Sequence, residues 1–246
     1  MNAIIYLTSN PSIMNWEVMP PRSESLNEDN GFVERLKKDW KNETRCLLVA
    51  SDPTQIGMME GMKADFTFLF EKHGLSTKVI ETLDQRNELS KEELEAYDVI
   101  ILCGGHVPTQ NQYFKQIELK EKLKDYKGII MGISAGSMNS ASVVYAAPEK
   151  EGESVDPNYQ RFISGLCLTD MMVIPHWQHV RTLTIDGKNA EKDIACADSY
   201  GRKFTALVDG SFIRIADGKA IIYGEAYEIA EGVCQKICEK GKHIEA

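Results

Sequence analysis

One pentapeptide in this 246-residue chain has the residue types and the setting for nucleophilic chemistry. Gly132-Ile133-Ser134-Ala135-Gly136 follows an apolar run, 127–131, and precedes a stretch of helical character, 137–144. Strand, sharp turn and helix in that order lift a serine hydroxyl out at the turn and set it beside the unpaired N–H groups of a helix start. A glycine on each side leaves room where the backbone folds back on itself. A serine hydroxyl is a weak nucleophile until a base takes its proton. Of the five histidines, the best placed is His176, which follows the apolar run Met171-Met172-Val173-Ile174-Pro175. That run reads as a strand ending at the edge of a crevice, and Pro175 stiffens the approach to the imidazole. His179 lies close behind and competes for the role, without the strand-end position. His73 precedes Gly74 at the end of a helical pattern, where a histidine suits the helix dipole, and His243 lies in a polar tail. Gly104-Gly105-His106 follows a strand ending at Cys103. Paired glycines let the backbone approach a ligand closely, and the amides of Gly105, His106 and Ala135 are then suited to an oxyanion hole.

The elements that must position these groups are legible as alternating patterns. Short apolar runs at 3–7, 45–50, 76–81, 97–103 and 128–133 predict strands, and helical periodicity fills 31–40, 56–73, 90–97 and 112–126. The helix at 56–73 carries Met58, Met59, Met62, Phe66, Phe68, Leu69 and Phe70, a broad apolar stripe expected to pack on a sheet. Ser90 followed by Glu93 predicts a capping box. Strand–helix alternation of this kind predicts an α/β domain with a doubly wound, mostly parallel sheet and helices on both faces, one domain spanning 1–246. After residue 145 the pattern changes. Segment 148–159 is polar and acidic and reads as a solvated loop, with a rim over the serine turn as the alternative. Short β-like pieces at 205–208, 211–215 and 220–223 are separated by Asp209-Gly210 and Asp217-Gly218, both read as hairpin turns. Segment 10–30 reads as a long loop after the first strand, at the end of a parallel strand where ligand crevices form.

Composition narrows the function. With 43% hydrophobic residues, 26% charged residues and a net charge of −9, the chain has the make-up of a globular protein that repels nucleic acid and anionic membranes. Neither is an expected partner. The six cysteines show no zinc-type spacing and imply no disulfide framework. Cys46 and Cys103 sit in apolar runs as small hydrophobes. The first residues lack the basic and apolar regions of a signal peptide, and no apolar stretch reaches membrane-spanning length. A cytoplasmic location is the expectation.

Taken together, the Gly-Gly strand end, Gly132-Ile133-Ser134-Ala135-Gly136-Ser137, Ile174-Pro175-His176-Trp177 and Val208-Asp209-Gly210-Ser211 resemble the dipeptidase E family of serine peptidases. These alpha-aspartyl dipeptidases are related to cyanophycinases. The resemblance implies a class I glutamine amidotransferase-like (flavodoxin-like) α/β sandwich and a triad in the order serine, histidine, acid. It puts the nucleophile at Ser134, the base at His176 and the acid at Asp209, where relatives often carry glutamate. Glu149 is the competing acid. It implies no metal and no organic cofactor. The arginine with which the family recognises a substrate carboxylate corresponds here to Ala190, and alanine offers nothing to replace a guanidinium. Lys188 and Arg181 lie nearby. The expected activity is therefore serine hydrolysis of a small peptide or amide bond through an acyl-enzyme, without strict aspartyl specificity. An amidotransferase-like or esterase-like hydrolase of a non-peptide amide or ester is the alternative, followed by a non-catalytic binding module of the same fold.

Overall fold

Five of the apolar runs do become parallel neighbours. In the computed structural model, which describes residues 3–15, 17–19 and 21–246, they form most of an eight-stranded sheet. Its order is His243–Glu245, Lys219–Tyr223, Phe212–Ala216, Ile4–Thr8, Ile129–Ile133, Val99–Leu102, Thr44–Val49, Thr77–Leu83. The strands from Ile4–Thr8 to Thr77–Leu83 run parallel. The remaining three extend the sheet antiparallel. Val99–Leu102 is buried at every position, as expected of a central strand covered on both faces. The mostly parallel sheet foreseen from the alternation is therefore present. The helices Phe32–Asp39, Ile56–Lys72 and Lys91–Glu95 match the patterns that predicted them, and the last opens with the Ser90–Glu93 capping box.

A second sheet was not foreseen. Four strands in the order Met172–Ile174, Lys203–Leu207, Ala226–Ala230, Val233–Cys238 form it, with the first pair parallel. It packs on one face of the large sheet. Ile5, Leu7, Ile213 and Ile222 of the large sheet share a buried cluster with Val173 and Leu207 of the small one. Tyr6, between Ile5 and Leu7, points the other way, into the main core with Phe32 and Phe212, as the two-residue period of a strand requires. Each large apolar side chain buried between the sheets stabilises by about 1.5–3 kcal/mol, and this burial is what fixes the two sheets face to face.

Several local expectations change for identifiable reasons. Asp217-Gly218 is a hairpin turn, with Ala216 opposite Lys219 and both turn residues at positive φ, the geometry two-residue hairpins need. Asp209-Gly210 has the same chemistry but is not one. Lys203–Leu207 belongs to the small sheet and Phe212–Ala216 to the large one, so the turn is a crossover between layers. The expected helix at 137–144 is only Ala135–Asn139, because Val143–Tyr145 pairs antiparallel with Phe162–Ser164; β-branched residues favour that use. The expected helix at 112–126 begins earlier, at Val107–Gln116 with Pro108 in its first turn, and breaks at Glu118, whose φ is 52°, before the short turn Leu119–Lys122. The apolar stripe of Ile56–Lys72 is narrower than expected: Met59, Phe66, Leu69 and Phe70 are buried, whereas Met58 and Phe68 are exposed. Within segment 10–30, Ser12–Asn15 and Arg22–Leu26 pair as an antiparallel ribbon; Trp16 and Pro20 lie outside the described residues. His73 pins that ribbon to the helix end, its Nε2 accepting the Leu26 N–H at 3.1 Å while Nδ1 faces Glu28 at 3.0 Å.

Candidate active site

Ser134 stands where the central strand Ile129–Ile133 turns into the helix Ala135–Asn139. Its backbone sits at φ 52°, ψ −113°, a region that costs a non-glycine residue energy and persists only when the surroundings hold it. Here they do. The Ser134 N–H is shared between the carbonyls of Thr8 and Ser9 at 3.0 and 3.1 Å. Ser137 Oγ donates to the Thr8 carbonyl at 2.8 Å, and Thr8 Oγ1 donates to Gly132 O at 2.7 Å. Both flanking glycines are required by contact: a Cβ on Gly132 would lie 2.6 Å from Ser137 N, and one on Gly136 would lie 2.1 Å from Leu102 O.

The small sheet brings the partner groups. His176 follows Met172–Ile174, Asp209 follows Lys203–Leu207, and these two strands are parallel neighbours, so their carboxyl ends open at the same edge. His176 Nε2 lies 2.9 Å from Ser134 Oγ, and Nδ1 lies 2.7 Å from Asp209 Oδ1. A carboxylate only accepts, so Nδ1 carries the hydrogen and Nε2 is left to accept from the serine. Two residues that the sequence reading passed over complete the cluster. Ser9 Oγ accepts the His176 backbone N–H at 2.7 Å and donates to Asp209 Oδ1 at 2.6 Å. Gln178 donates to Asp209 Oδ2 at 2.6 Å and accepts the Asp209 N–H at 3.1 Å. Burial would raise the Asp209 carboxyl, but the hydrogen bond and charge of His176, with the bonds from Ser9 and Gln178, hold it below its ordinary range. Ser9 ends the first parallel strand beside the elbow strand, a position where polar residues border crevices, and that was the available signal. Gln178 carried none. Beyond Asp209, the Gly210 N–H donates to Asn10 O at 2.9 Å and Asn30 Nδ2 donates to Gly210 O at 2.7 Å. Segment 10–30 thus braces the turn that carries Asp209.

Gly104-Gly105 passes close over the elbow: a Cβ on Gly104 would be 3.3 Å from Ser134 Cβ, and one on Gly105 would strike Ser51 Oγ at 2.3 Å. Gln110 Nε2 donates to the Cys103 carbonyl and Asn139 Nδ2 donates to Gln110 Oε1 at 3.0 Å, a buried network that ties this turn to the elbow helix. Among the described residues, the N–H groups of Gly105, His106 and Ala135 donate to no protein acceptor. The His106 ring turns elsewhere, with Nδ1 2.8 Å from Thr109 Oγ1 and Nε2 3.0 Å from Glu153 Oε1.

A family model described as peptidase family S51 matches residues 31–223 of the chain. This chain belongs to peptidase family S51. The S51 family is the dipeptidase E family, so the chain is a serine-type peptidase and peptides are its substrate class. Two solved structures resemble it in fold. One is a peptidase from an acI-B1 Actinobacterium, 15% identical, covering 100% of this chain and 98% of its own, with a TM-score of 0.62. The other is described as "a Putative Peptidase E Protein from Listeria monocytogenes EGD-e", 15% identical, covering 97% and 100%, with a TM-score of 0.57. The architecture is accordingly the class I glutamine amidotransferase-like α/β sandwich of peptidase E. No curated protein matches the sequence. Among the described residues, the S51 peptidase has no helix long and apolar enough to cross a membrane.

Beside Ser134 and His176 the S51 peptidase has a cavity of about 360 Å³ whose wall also includes Gly105, Glu149, His179 and Ala190. Segment 148–159 is the solvated loop expected from sequence, exposed at 149–152 and 155–158, and through Pro148 and Glu149 it also forms part of the rim. Glu153 Oε2 accepts the N–H groups of Glu149 and Lys150 at 2.8 and 3.0 Å, and Asp186 accepts those of Gly152 and Ser154 at 2.7 and 3.0 Å. Four carboxylate–amide bonds of this kind hold a polar segment in one conformation. Lys188 Nζ donates to Ser154 O at 3.0 Å, and Arg181 forms a two-pronged pair with Glu191, 3.1 Å at each prong. Arg181 and Lys188 are thus both engaged within the protein.

Glu149 behaves differently from Asp209. Burial, then the Glu153 charge, push its carboxyl up to about 7. The residue keeps an exposed face at the cavity mouth, and the water there moderates the size of the rise but not its direction. In the unfolded chain the group titrates near 4.5. Below that value it is protonated in both states and pH has no effect. Between the two values the folded protein binds the extra proton, so rising pH costs stability, and the whole penalty is present above about 7. Glu149→Gln is therefore expected to raise the melting temperature at about pH 8 and to change it little at about pH 4. Thermal unfolding of both proteins at the two pH values checks this; a variant melting lower at the alkaline pH contradicts it.

Proposed function

We propose that the S51 peptidase cleaves a small peptide or amide bond through an acyl-enzyme, with Ser134 as nucleophile, His176 as base and Asp209 as the orienting acid. Ser134 Oγ attacks the scissile carbonyl carbon while its proton passes to His176 Nε2. The C–N bond then breaks, and the same proton goes to the leaving amine. Water attacks the ester, giving its proton to His176, which returns it to Ser134 as the acid product leaves. The developing oxyanion is met by the free amides of Gly105 and Ala135, with that of His106 beside them. Asp209 fixes the tautomer, and Ser9 and Gln178 orient Asp209. The chemistry calls for no metal or organic cofactor. Because the reacting groups come from both sheets, we read the whole chain as one catalytic domain.

The 2.9 Å approach of His176 Nε2 to Ser134 Oγ carries this reading. Asp209 is preferred over Glu149 because it meets His176 Nδ1 at 2.7 Å, whereas no side-chain hydrogen bond joins Glu149 to the ring among the described residues. Specificity for an aspartyl residue is not expected, since the position that would hold the arginine is Ala190. A small fluorophosphonate tests the assignment: the wild-type protein should be labelled at Ser134 and Ser134→Ala should not. A folded wild type that resists labelling would refute it.

A further inference from the structure

We infer that the cavity beside Ser134 receives an apolar side chain, that of the residue donating the acyl group; the inference rests on the serine peptidase reading above. A volume of about 360 Å³ falls in the range of small-ligand pockets, and Ser134 is part of its wall. An acyl group bonded to Ser134 Oγ therefore has this space directly beside it. Met138, Ile174, Val180, Leu183, Ala190 and Ile194 make up much of the remaining surface. Among the described residues of the wall there is no lysine and no arginine.

The charges around the cavity argue the same way. Arg181 is held by Glu191 and lies over the Tyr227 ring at 5.2 Å. Lys188 is held by the Ser154 carbonyl. Position 190 is an alanine only 6% exposed. The one carboxyl in the wall is Glu149, which repels an acidic side chain when ionised. An aspartyl side chain entering here would lose water and find no lysine or arginine in the wall to pair with. A leucyl or phenylalanyl side chain would leave water for a wall that is mostly apolar. A pocket of this kind rejects a charged side chain far more strongly than it sorts one apolar side chain from another.

The test uses diphenyl aminoalkylphosphonates with leucine, phenylalanine or aspartate side chains, which phosphonylate an activated serine in the acyl position. With the full chain, the leucine or phenylalanine probe should inactivate roughly 100-fold faster than the aspartate probe, with the label on Ser134. Ala190→Arg should narrow that ratio by roughly tenfold or more by supplying the missing cation. Because position 190 is buried, Leu183→Arg, at a wall position 47% exposed, provides a second variant that need not disturb the core. An aspartate probe that reacts as fast as the others overturns the inference and leaves the hydrolase reading standing. A ratio unmoved by both variants also overturns it, since the side chain then binds elsewhere. If none of the probes nor a small fluorophosphonate reacts with the folded protein, both readings fall.

Discussion

Ser134→Ala and His176→Ala are each expected to lower kcat on a cleaved peptide by roughly 10⁶-fold, and the double variant by no more than either alone. The physical reason is that the two groups act as one device. Without the imidazole the hydroxyl keeps its proton, and without the hydroxyl the imidazole has nothing to activate. Residual catalysis, roughly 10³–10⁴ over the reaction in water, should survive through the backbone amides and binding alone. Thermal melts of the variants should stay close to wild type, because both side chains sit at the carboxyl ends of their strands, partly exposed, and not in either core. Single-turnover kinetics on a fast substrate would check the non-additivity. Losses that multiply in the double variant would mean that the two residues work in separate steps.

Asp209→Asn is expected to cost roughly 10⁴-fold in kcat with little change in fold. An amide can present its NH₂ to His176 Nδ1, which favours the tautomer with the hydrogen on Nε2 and leaves no acceptor facing Ser134. The cluster makes this substitution severe without dismantling the site, because Ser9 would still receive the His176 N–H and Gln178 would still lie against position 209. Glu149→Gln is the discriminating comparison. Its carboxyl lines the cavity but is held near neutral by burial and Glu153, so its loss should cost at most about tenfold. If Glu149→Gln proved the crippling change and Asp209→Asn the mild one, the acid role would have to be reassigned. Comparing kcat for the two variants on the same peptide decides between them.

Much of the fold was readable from local pattern. Alternating apolar runs and helical periods identify the five parallel strands, most clearly the inner ones, because a strand buried on both faces must be apolar at nearly every position, as Val99–Leu102 is. The elbow was readable because Gly132, Ser134 and Gly136 satisfy a steric need that arises within a few residues. Segment 10–30 was misread because Ser12–Asn15 and Arg22–Leu26 are short and show no apolar alternation. The acidic segment 148–159 was legible as a solvated loop, but not its anchoring, because its partners His106 and Asp186 lie far from it along the chain.

The two Asp-Gly turns mark the boundary between the kinds of information. By itself, the sequence determined that each would turn, since aspartate and glycine tolerate positive φ wherever they occur. It also determined which strand would present a serine at its end, and that an imidazole would follow a second apolar strand. Only the tertiary structure decided that Asp217-Gly218 closes a hairpin while Asp209-Gly210 crosses between sheets, because that depends on which strands find partners. The same long-range pairing, with Val173 and Leu207 packed against Ile5, Leu7 and Ile213, sets His176 and Asp209 beside Ser134. Nothing local encodes that meeting: it follows from burying two apolar faces against each other, and a burial of that kind belongs to the folded chain as a whole.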